Sequence, residues 1–537
     1  MSFFYFFRAR CRWGLLAALG LSLTGSGCAR RHYFQPDARV GAGSAQPLPA
    51  AADSVLATAG RHYNQHSGFY CLFLGRHYRR VWAAPVRVAV LDLTTAAPGG
   101  LRPGKVGGGY QSISMTLTGA QKREYALRAL DKEPSKTLPK IIRPTFVLNV
   151  VRDATSAAMP YGALTVPPLA QAAGVPHSRP RIVYVRADET GLGASSERFR
   201  GQMALLEEKY EAPASRTPAL VGAADFDGGE AMLKQVYRLP THYIDQPAFL
   251  RARLLDVWLG DWDRHEGQWQ WAEFRETDGR VRYVGIPKDR DQVYFRFDDG
   301  LIPWLAARPF IAPQFQTFRT AYNNIGGLVK QAQFIDQRGL AALTRADFAR
   351  TARDLQRRLP DSVIARALRR LPPAVYALEG ARLGSALRAR RETLPQAADA
   401  YYLTLARAPT LGGTAQDERF VVHRYADSTT VRVFAAAAAA PARDSLRFQR
   451  TYFRSETKRL SFEGLGGNDV FEIITAPNAR PMRLLLYGGA GRDQLRVIGG
   501  GRHLQAYDEA TDMTAAGVPR PRLPQKKHRA YDRLNDD

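Results

Sequence analysis

From position 246 onward the periodicity turns helical: Phe249, Leu250, Arg253, Leu254, Val257 and Trp258 mark a helix that approaches the loop at Asp263. Ahead of it the pattern is mostly period two. Residues 86–93 read as a strand, and 112–117 and 124–130 alternate on either side of the turn Thr118-Gly119-Ala120-Gln121, which predicts a hairpin. A tight glycine turn, Gly107-Gly108-Gly109-Tyr110, precedes its first strand. Residues 142–160 predict one helix and 167–174 a shorter one, while 181–185, 202–207 and 280–286 read as strands. Helices punctuated by Pro360, Pro372-Pro373 and Pro395 fill 345–405. Past 405 the texture turns to strands at 420–424, 429–434 and 459–462, with the alanine run 435–440 as a loop.

Residues 260–271, Gly-Asp-Trp-Asp-Arg-His-Glu-Gly-Gln-Trp-Gln-Trp, concentrate potential chemistry just beyond the helix. Carboxylates, an arginine and an imidazole among tryptophans are costly to bury unless they are paired or bind something. The strand at 280–286 leads into a second acidic cluster, Ile286-Pro287-Lys288-Asp289-Arg290-Asp291. Two acidic clusters a strand pair apart point to a site that handles a metal and a phosphate. The plainer alternative is a buried ion-pair cluster tying Arg264 to Asp261 or Asp289. Trp258, Trp262, Trp269 and Trp271 are expected in the core.

Glycine turn, hairpin, helix, two strands, a helix entering an acidic loop and a strand ending in acid resemble the order of a protein kinase. Tyr125-Ala126-Leu127-Arg128-Ala129-Leu130-Asp131-Lys132 looks like the kinase strand that carries the phosphate-binding lysine, with Arg128 in the lysine's position. Arginine is a planar fork where lysine is a compact charge, so phosphate would be held differently by Arg128, or by Lys132 instead. Asp263-Arg264-His265-Glu266-Gly267-Gln268 resembles the Asp-Arg-His-x-x-Asn catalytic loop of phosphatidylinositol kinases and HipA-like kinases, and the Asp-Arg-His of secretory-pathway kinases. Gln268 replaces the asparagine. The resemblance implies Asp263 as catalytic base with His265 beside it, Gln268 with Asp289 or Asp291 as metal ligands, and Mg²⁺ or Mn²⁺ bridging the phosphates of ATP. It further implies cofactor contacts from Gly108, Gly109, Arg128 and Lys132, a hinge in which Glu207 offers backbone groups to adenine, and a pairing of Asp153 with Arg128.

A wider set is similar to an uncharacterised group of Bacteroidetes envelope lipoproteins: Tyr78-Arg79-Arg80-Val81-Trp82-Ala83-Ala84-Pro85-Val86, residues 107–111, residues 260–271 and Asp289-Arg290-Asp291-Gln292. In that group the region is often joined to a metallophosphoesterase or an outer-membrane barrel, and neither pattern is read here. The expected fold class is α+β, a two-lobed protein-kinase-like core followed by a small all-β domain. Its expected parts are a signal at 1–28, a flexible tether at 29–64, an N-lobe-like β-rich domain at 65–215 and a mainly helical C-lobe-like domain at 216–400. A β domain at 401–510 and a disordered basic tail at 511–537 complete it.

At 537 residues and 45% apolar the chain is globular and long enough for roughly three or four domains. The net charge of +26 comes mostly from arginine spread along the chain. No basic groove or helix with stacking aromatics is written, which argues against a nucleic-acid partner. Attraction to anionic lipid or phosphate and a general arginine bias are the remaining explanations. Arg8, Arg10 and Arg12, an apolar stretch at 14–24 too short for a typical span, and Gly25-Ser26-Gly27-Cys28 resemble a bacterial lipoprotein signal with Cys28 lipidated. Simple cleavage without lipid is the alternative. The expected location is the periplasm or cell surface, with the membrane as partner through a lipid anchor and an outer-membrane or envelope protein as a further partner. Cys71, in the apolar run Gly68-Phe69-Tyr70-Cys71-Leu72-Phe73, is expected in the core.

Two units share Gly-Gly, Asp and apolar spacing, Gly464 to Phe471 and Gly488 to Leu495. They resemble calcium-binding β-roll turns, with Asp469 and Asp493 as the calcium ligands, or else are simple turns in a β-sandwich or short β-solenoid. Three functions follow in order: an exported, lipid-anchored kinase-like phosphotransferase, a catalytically inactive kinase-like scaffold in envelope assembly, and a metal-dependent phosphoester hydrolase.

Overall fold

The computed structural model describes residues 28–41, 44, 46–107, 113–210, 220–435, 446–508 and 514–516. They build a mixed α/β molecule with several sheets. The first sheet contains β1 (Ser54–Ala57), β2 (Val86–Val90), β3 (Arg102–Gly107), β4 (Ser114–Thr118), β5 (Glu124–Ala129), β6 (Arg181–Tyr184) and β7 (Met203–Lys209), in the order β1-β2-β6-β7-β5-β4-β3. Alternation decides its two faces. Met115, Leu117, Leu127, Ala129, Ala204 and Leu206 enter one apolar core with Phe199. Arg128 and Glu207, on the same strands in the opposite phase, point the other way. The predicted hairpin is present as β4 and β5, paired Thr118 to Glu124. Gly108 and Gly109 lie outside the described residues.

The described residues within 29–64 are not a tether. The Ala29 amide donates to the Pro144 carbonyl at 2.8 Å, Ala38 is fully buried, and β1 adds to the sheet edge against β2. A four-residue strand carries too short a pattern to be recognised alone; only the open edge of β2 makes it one. Cys28 itself is exposed and bridges to Thr145.

The helix expected over 142–160 is shorter. It is α2 (Phe146–Asp153), opened by the Thr145 side chain accepting from the Val147 amide at 3.3 Å. Before it stands α1 (Gly68–Leu74), which buries none of its residues; Cys71 is half-buried rather than core. A continuous apolar run has no periodicity to say whether a partner exists.

After α3 (Val166–Ala173) and α4 (Gly229–Arg238) comes α5 (Gln246–Leu259), where ten of fourteen residues are buried, so this helix is central rather than superficial. A second sheet, order β8-β10-β11-β9, joins β8 (Asp225–Gly228), β9 (His242–Ile244), β10 (Trp269–Arg275) and β11 (Val281–Pro287). The helices α6 (Leu301–Ala306), α7 (Arg345–Arg358), α8 (Asp361–Leu368), α9 (Pro373–Glu392) and α10 (Leu394–Ala406) follow. Trp258, Trp269 and Trp271 are fully buried, as expected; Trp262 is half-buried against Phe295 and Phe315.

The last strands are β12 (Thr410–Gly412), β13 (Glu418–Arg424), β14 (Ser428–Ala435), β15 (Leu446–Phe453), β16 (Arg459–Gly466), β17 (Val470–Thr475), β18 (Arg483–Ala490), β19 (Gln494–Ile498), β20 (Leu504–Tyr507) and β21 (Thr514–Ala516). From β16 the chain alternates between two sheets, and β18 to β21 each lie parallel to the strand two before. This is a short solenoid, the second of the geometries open for the Gly-Asp units. Thr514–Ala516, inside the expected disordered tail, is its outermost strand; 517–537 lie outside the described residues. Among the described residues no helix is long and apolar enough to cross a membrane.

Candidate functional site

Two loops leave the second sheet at its end facing the first. Helix α5 stops at Gly260, whose φ of +71° turns the chain outward while the Gly260 and Asp261 amides bond back to Val257 and Asp256. β10 and β11 then pair Trp269 with Pro287, so residues 260–268 and 288–291 must lie side by side. The Lys288 amide donates to the Gln268 carbonyl at 3.1 Å.

Charged residues of these loops divide into two sets. The inner set is buried: Asp256, Asp261, Arg264, Arg290, Arg253 and Asp336. Arg264 donates to the carbonyls of Lys288 at 2.7 Å and Gln268 at 2.9 Å and lies near Asp256 and Asp261 at 3.4 and 3.7 Å. Arg290 bonds Asp256 and Asp261, while Arg253 joins Asp256 to Asp336. The ion-pair alternative is therefore right for Arg264, which fastens both loops from below. Desolvated charges of this kind are tolerated because each is paired.

The outer set is half-exposed and faces the first sheet: Asp263, His265, Gln268, Asp289 and Asp291. Lys132, three residues past β5, forms an ion pair with Asp291. Burial alone would lower the Lys132 pKa, but Asp291 and Asp289, with Asp263 adding to them, raise it. Arg128 is committed to Glu207, and its charge also faces Asp289. Glu207, expected to serve as hinge backbone, instead stands in β7 with its side chain buried on Arg128 and accepting from Ser178 at 3.0 Å. Asp153 does not reach Arg128. It takes a bidentate bond from Arg79 at 2.5 and 2.6 Å, with His66 at 3.2 Å.

Asp263 has no side-chain hydrogen bond among the described residues. Burial, then Asp291 and Asp289, push its carboxyl up to about 6. The Gln268 amide lies 3.5 Å from Asp289 Oδ2. Asp289 has φ +58°, a left-handed backbone that aspartate tolerates better than most residues. His265 accepts from the Gly267 amide through Nδ1 at 3.0 Å and so caps the turn before β10; burial lowers its pKa. Among the described residues no group of three or more His, Cys, Asp or Glu is arranged to hold a metal ion.

No family model, curated protein or solved structure matches this chain. Its function must be read from the arrangement itself.

Sequence reasoning missed two supports of the site. One is the pair Arg253 and Asp256, signalled only by two charges inside the apolar run of α5. The other is Gly229, where a Cβ would stand 2.2 Å from the Glu266 carbonyl oxygen; a side chain there would displace the loop that holds Asp263.

The Gly-Asp units stack as a ladder. The Asp469 amide donates to Asp493 Oδ1 at 2.9 Å, and the Glu418 amide to Asp469 Oδ1 at 2.9 Å. Both carboxylates are buried and each accepts the backbone N–H of the neighbouring coil through one oxygen, which fixes their spacing along the stack.

Proposed function

We propose that the chain is a kinase-like phosphotransferase. The observation that carries the reading is the meeting of Lys132, from the end of β5, with Asp263, Asp289 and Asp291 from the two loops of the second sheet. Strand with cation, helix, acidic loop after a long helix, and acid at the end of the next hairpin occur in the order that phosphoryl-transfer sites of this kind use. Lys132, rather than Arg128, is taken as the cation for the phosphates, since it stands against Asp291, one of the acids proposed to hold the metal, whereas Arg128 is turned to Glu207 within the first sheet.

In this reading Asp263 takes the proton of an acceptor hydroxyl as the oxygen forms a bond to the γ-phosphorus of ATP. The bond from that phosphorus to the bridging oxygen breaks, and ADP leaves with its electron pair. A carboxyl near 6 is largely ionised at neutral pH yet basic enough to accept the proton. Mg²⁺ or Mn²⁺ would supply charge neutralisation between the phosphates. Asp289 and Asp291 are the residues to hold it, because Mg²⁺ is usually bound by one or two carboxylates together with substrate phosphates rather than by an all-protein cage. Three acids converge on Lys132, while Arg128 and Arg264 are shared with Glu207 and with Asp256 and Asp261, and a cation would relieve the remaining negative charge.

A second reading is favoured by one observation. Both candidate phosphate-binding cations are already paired, Lys132 with Asp291 and Arg128 with Glu207, as suits an inactive scaffold. Thermal melts with ATP and Mg²⁺ or Mn²⁺ separate the two, run on the wild type beside Asp263→Ala and Asp291→Ala. Ligand at about a hundred times its Kd stabilises by roughly 2.7 kcal/mol. A shift lost in Asp291→Ala, with phosphate transfer lost in Asp263→Ala, is expected. No shift with any nucleotide and metal overturns the kinase reading; binding without transfer supports the scaffold.

A further inference from the structure

Large apolar side chains are exposed on two helices that adjoin, α1 and α6, and on the segment that leads into the neighbouring α2. Phe69 and Leu72 on α1 are 73% and 64% exposed, Ile141 ahead of α2 is 83% exposed, and Trp304, Leu305 and Phe310 on and after α6 are 44%, 48% and 82% exposed. Continuity comes from named contacts. His66 stacks on Tyr70 of α1 and pairs with Asp153 at the end of α2. A Cβ on Gly300, which caps α6, would lie 2.2 Å from the amide nitrogen of Gly75, which caps α1. The chain enters the fold at this place as well: Cys28 bridges to Thr145, and the Asn149 side chain of α2 donates to its carbonyl at 3.3 Å.

Charge on this face is predominantly positive. Segments 28–36, 65–80, 133–153 and 298–320 contain eleven lysines and arginines against four acids, Glu133, Asp153, Asp298 and Asp299, the first three paired with Arg152, Arg79 and Arg319. Arg79 and Arg152 are engaged by Asp153 and Glu133, while Arg30, Arg31, Arg76, Arg80, Lys136 and Lys140 are exposed. Arg308 lies flat on the Trp304 ring at 3.8 Å, an apolar plate with a charged rim. Exposed apolar patches mark contact surfaces, and aromatic and aliphatic residues surrounded by Lys and Arg suit the headgroup boundary of an acidic bilayer.

We propose that this face docks the protein onto the surface of an anionic lipid bilayer in its own right, without any lipid on Cys28. The inference is independent of the catalytic reading. The chain from residue 28 carries every described element and is the form to test, as Cys28→Ser. It is sedimented with vesicles of equimolar phosphatidylglycerol and phosphatidylcholine, and with vesicles of phosphatidylcholine alone. Binding to the acidic vesicles that weakens with salt is expected. The double variant Leu72→Glu, Leu305→Glu alters only exposed positions, so it keeps its melting temperature and loses about tenfold or more in partitioning. Phe453→Glu, exposed at the end of β15, binds as the parent does. Absence of binding, equal binding to both vesicle types, or undiminished binding by the double variant overturns the proposal. So does self-association that the double variant abolishes without any vesicle binding, which would assign the face to a second copy of the chain.

Discussion

The ammonium of Lys132 is bound to the carboxylate of Asp291 across 159 positions of sequence, and this pair joins the first sheet to the loop that follows the second. Both groups keep partial access to solvent, at 16% and 32%, so the pair by itself adds only about 1 kcal/mol to stability. Lys132→Ala is therefore expected to melt close to the wild type while losing the stabilisation by ATP with Mg²⁺. A variant that retains the full ligand-dependent shift removes Lys132 from phosphate binding.

Partial burial, with repulsion from Asp291 and Asp289, pushes the Asp263 carboxyl up to about 6. Asp291→Asn removes the larger of the two repulsions, so the Asp263 carboxyl is expected to move down toward the ordinary carboxylate range. Added Mg²⁺ acts in the same direction. Carboxyl carbon shifts followed by NMR against pH check both, and an unchanged midpoint in Asp291→Asn shows that the two acids do not interact.

Arg264 is fully buried among Asp256 and Asp261 and holds one backbone carbonyl of each loop, Gln268 of its own and Lys288 of the facing one. Truncation leaves those carboxylates short of a partner charge, which costs about 3–5 kcal/mol. Urea unfolding of Arg264→Ala should show that loss. A change below about 1 kcal/mol means the remaining arginines, Arg290 and Arg253, neutralise the acids on their own.

Burial, with Glu418 and Asp493 adding to it, raises Asp469 to about 9, and its Oδ2 is a buried oxygen with no hydrogen-bond partner among the described residues. The folded state thus holds a proton that the unfolded chain, near 3.8, gives up. Stability from this group is full below about 4 and declines as pH rises toward about 9. Asp469→Asn keeps an acceptor for the Glu418 amide and carries no charge, so its melting temperature should exceed that of the wild type by several degrees at pH 8 and depend less on pH. Parallel profiles for the two proteins would place the pH dependence elsewhere.

Much of the site was legible because it is local. Asp263, His265 and Gln268 sit within one loop, Asp289 and Asp291 within another, and a two-stranded hairpin obliges the loops to meet. What could not be read was the choice inside each loop. Asp261 and Asp263 are two residues apart, yet one is buried in the arginine network and the other lines the opening. Arg128, in the lysine's position of the motif, came ahead of Lys132 as the candidate, but the sheet places Glu207 diagonal to Arg128. Asp153 looked like a partner for Arg128, and Arg79, from a helix turn far upstream, takes it instead.

Sequence by itself determined the order of elements and the composition of the two acidic loops, because hydrophobic period, glycine turns and capping residues act over a few neighbours. Tertiary structure decided that the described residues within 29–64 belong to the fold, that the Gly-Asp units stack as a solenoid, and that Lys132 faces the acids. Each of those depends on which distant segment supplies a hydrogen-bonding edge or an opposite charge. The same dependence left α1 and α6 with apolar residues exposed: the sequence wrote the side chains, and only the packing showed that no described segment covers them.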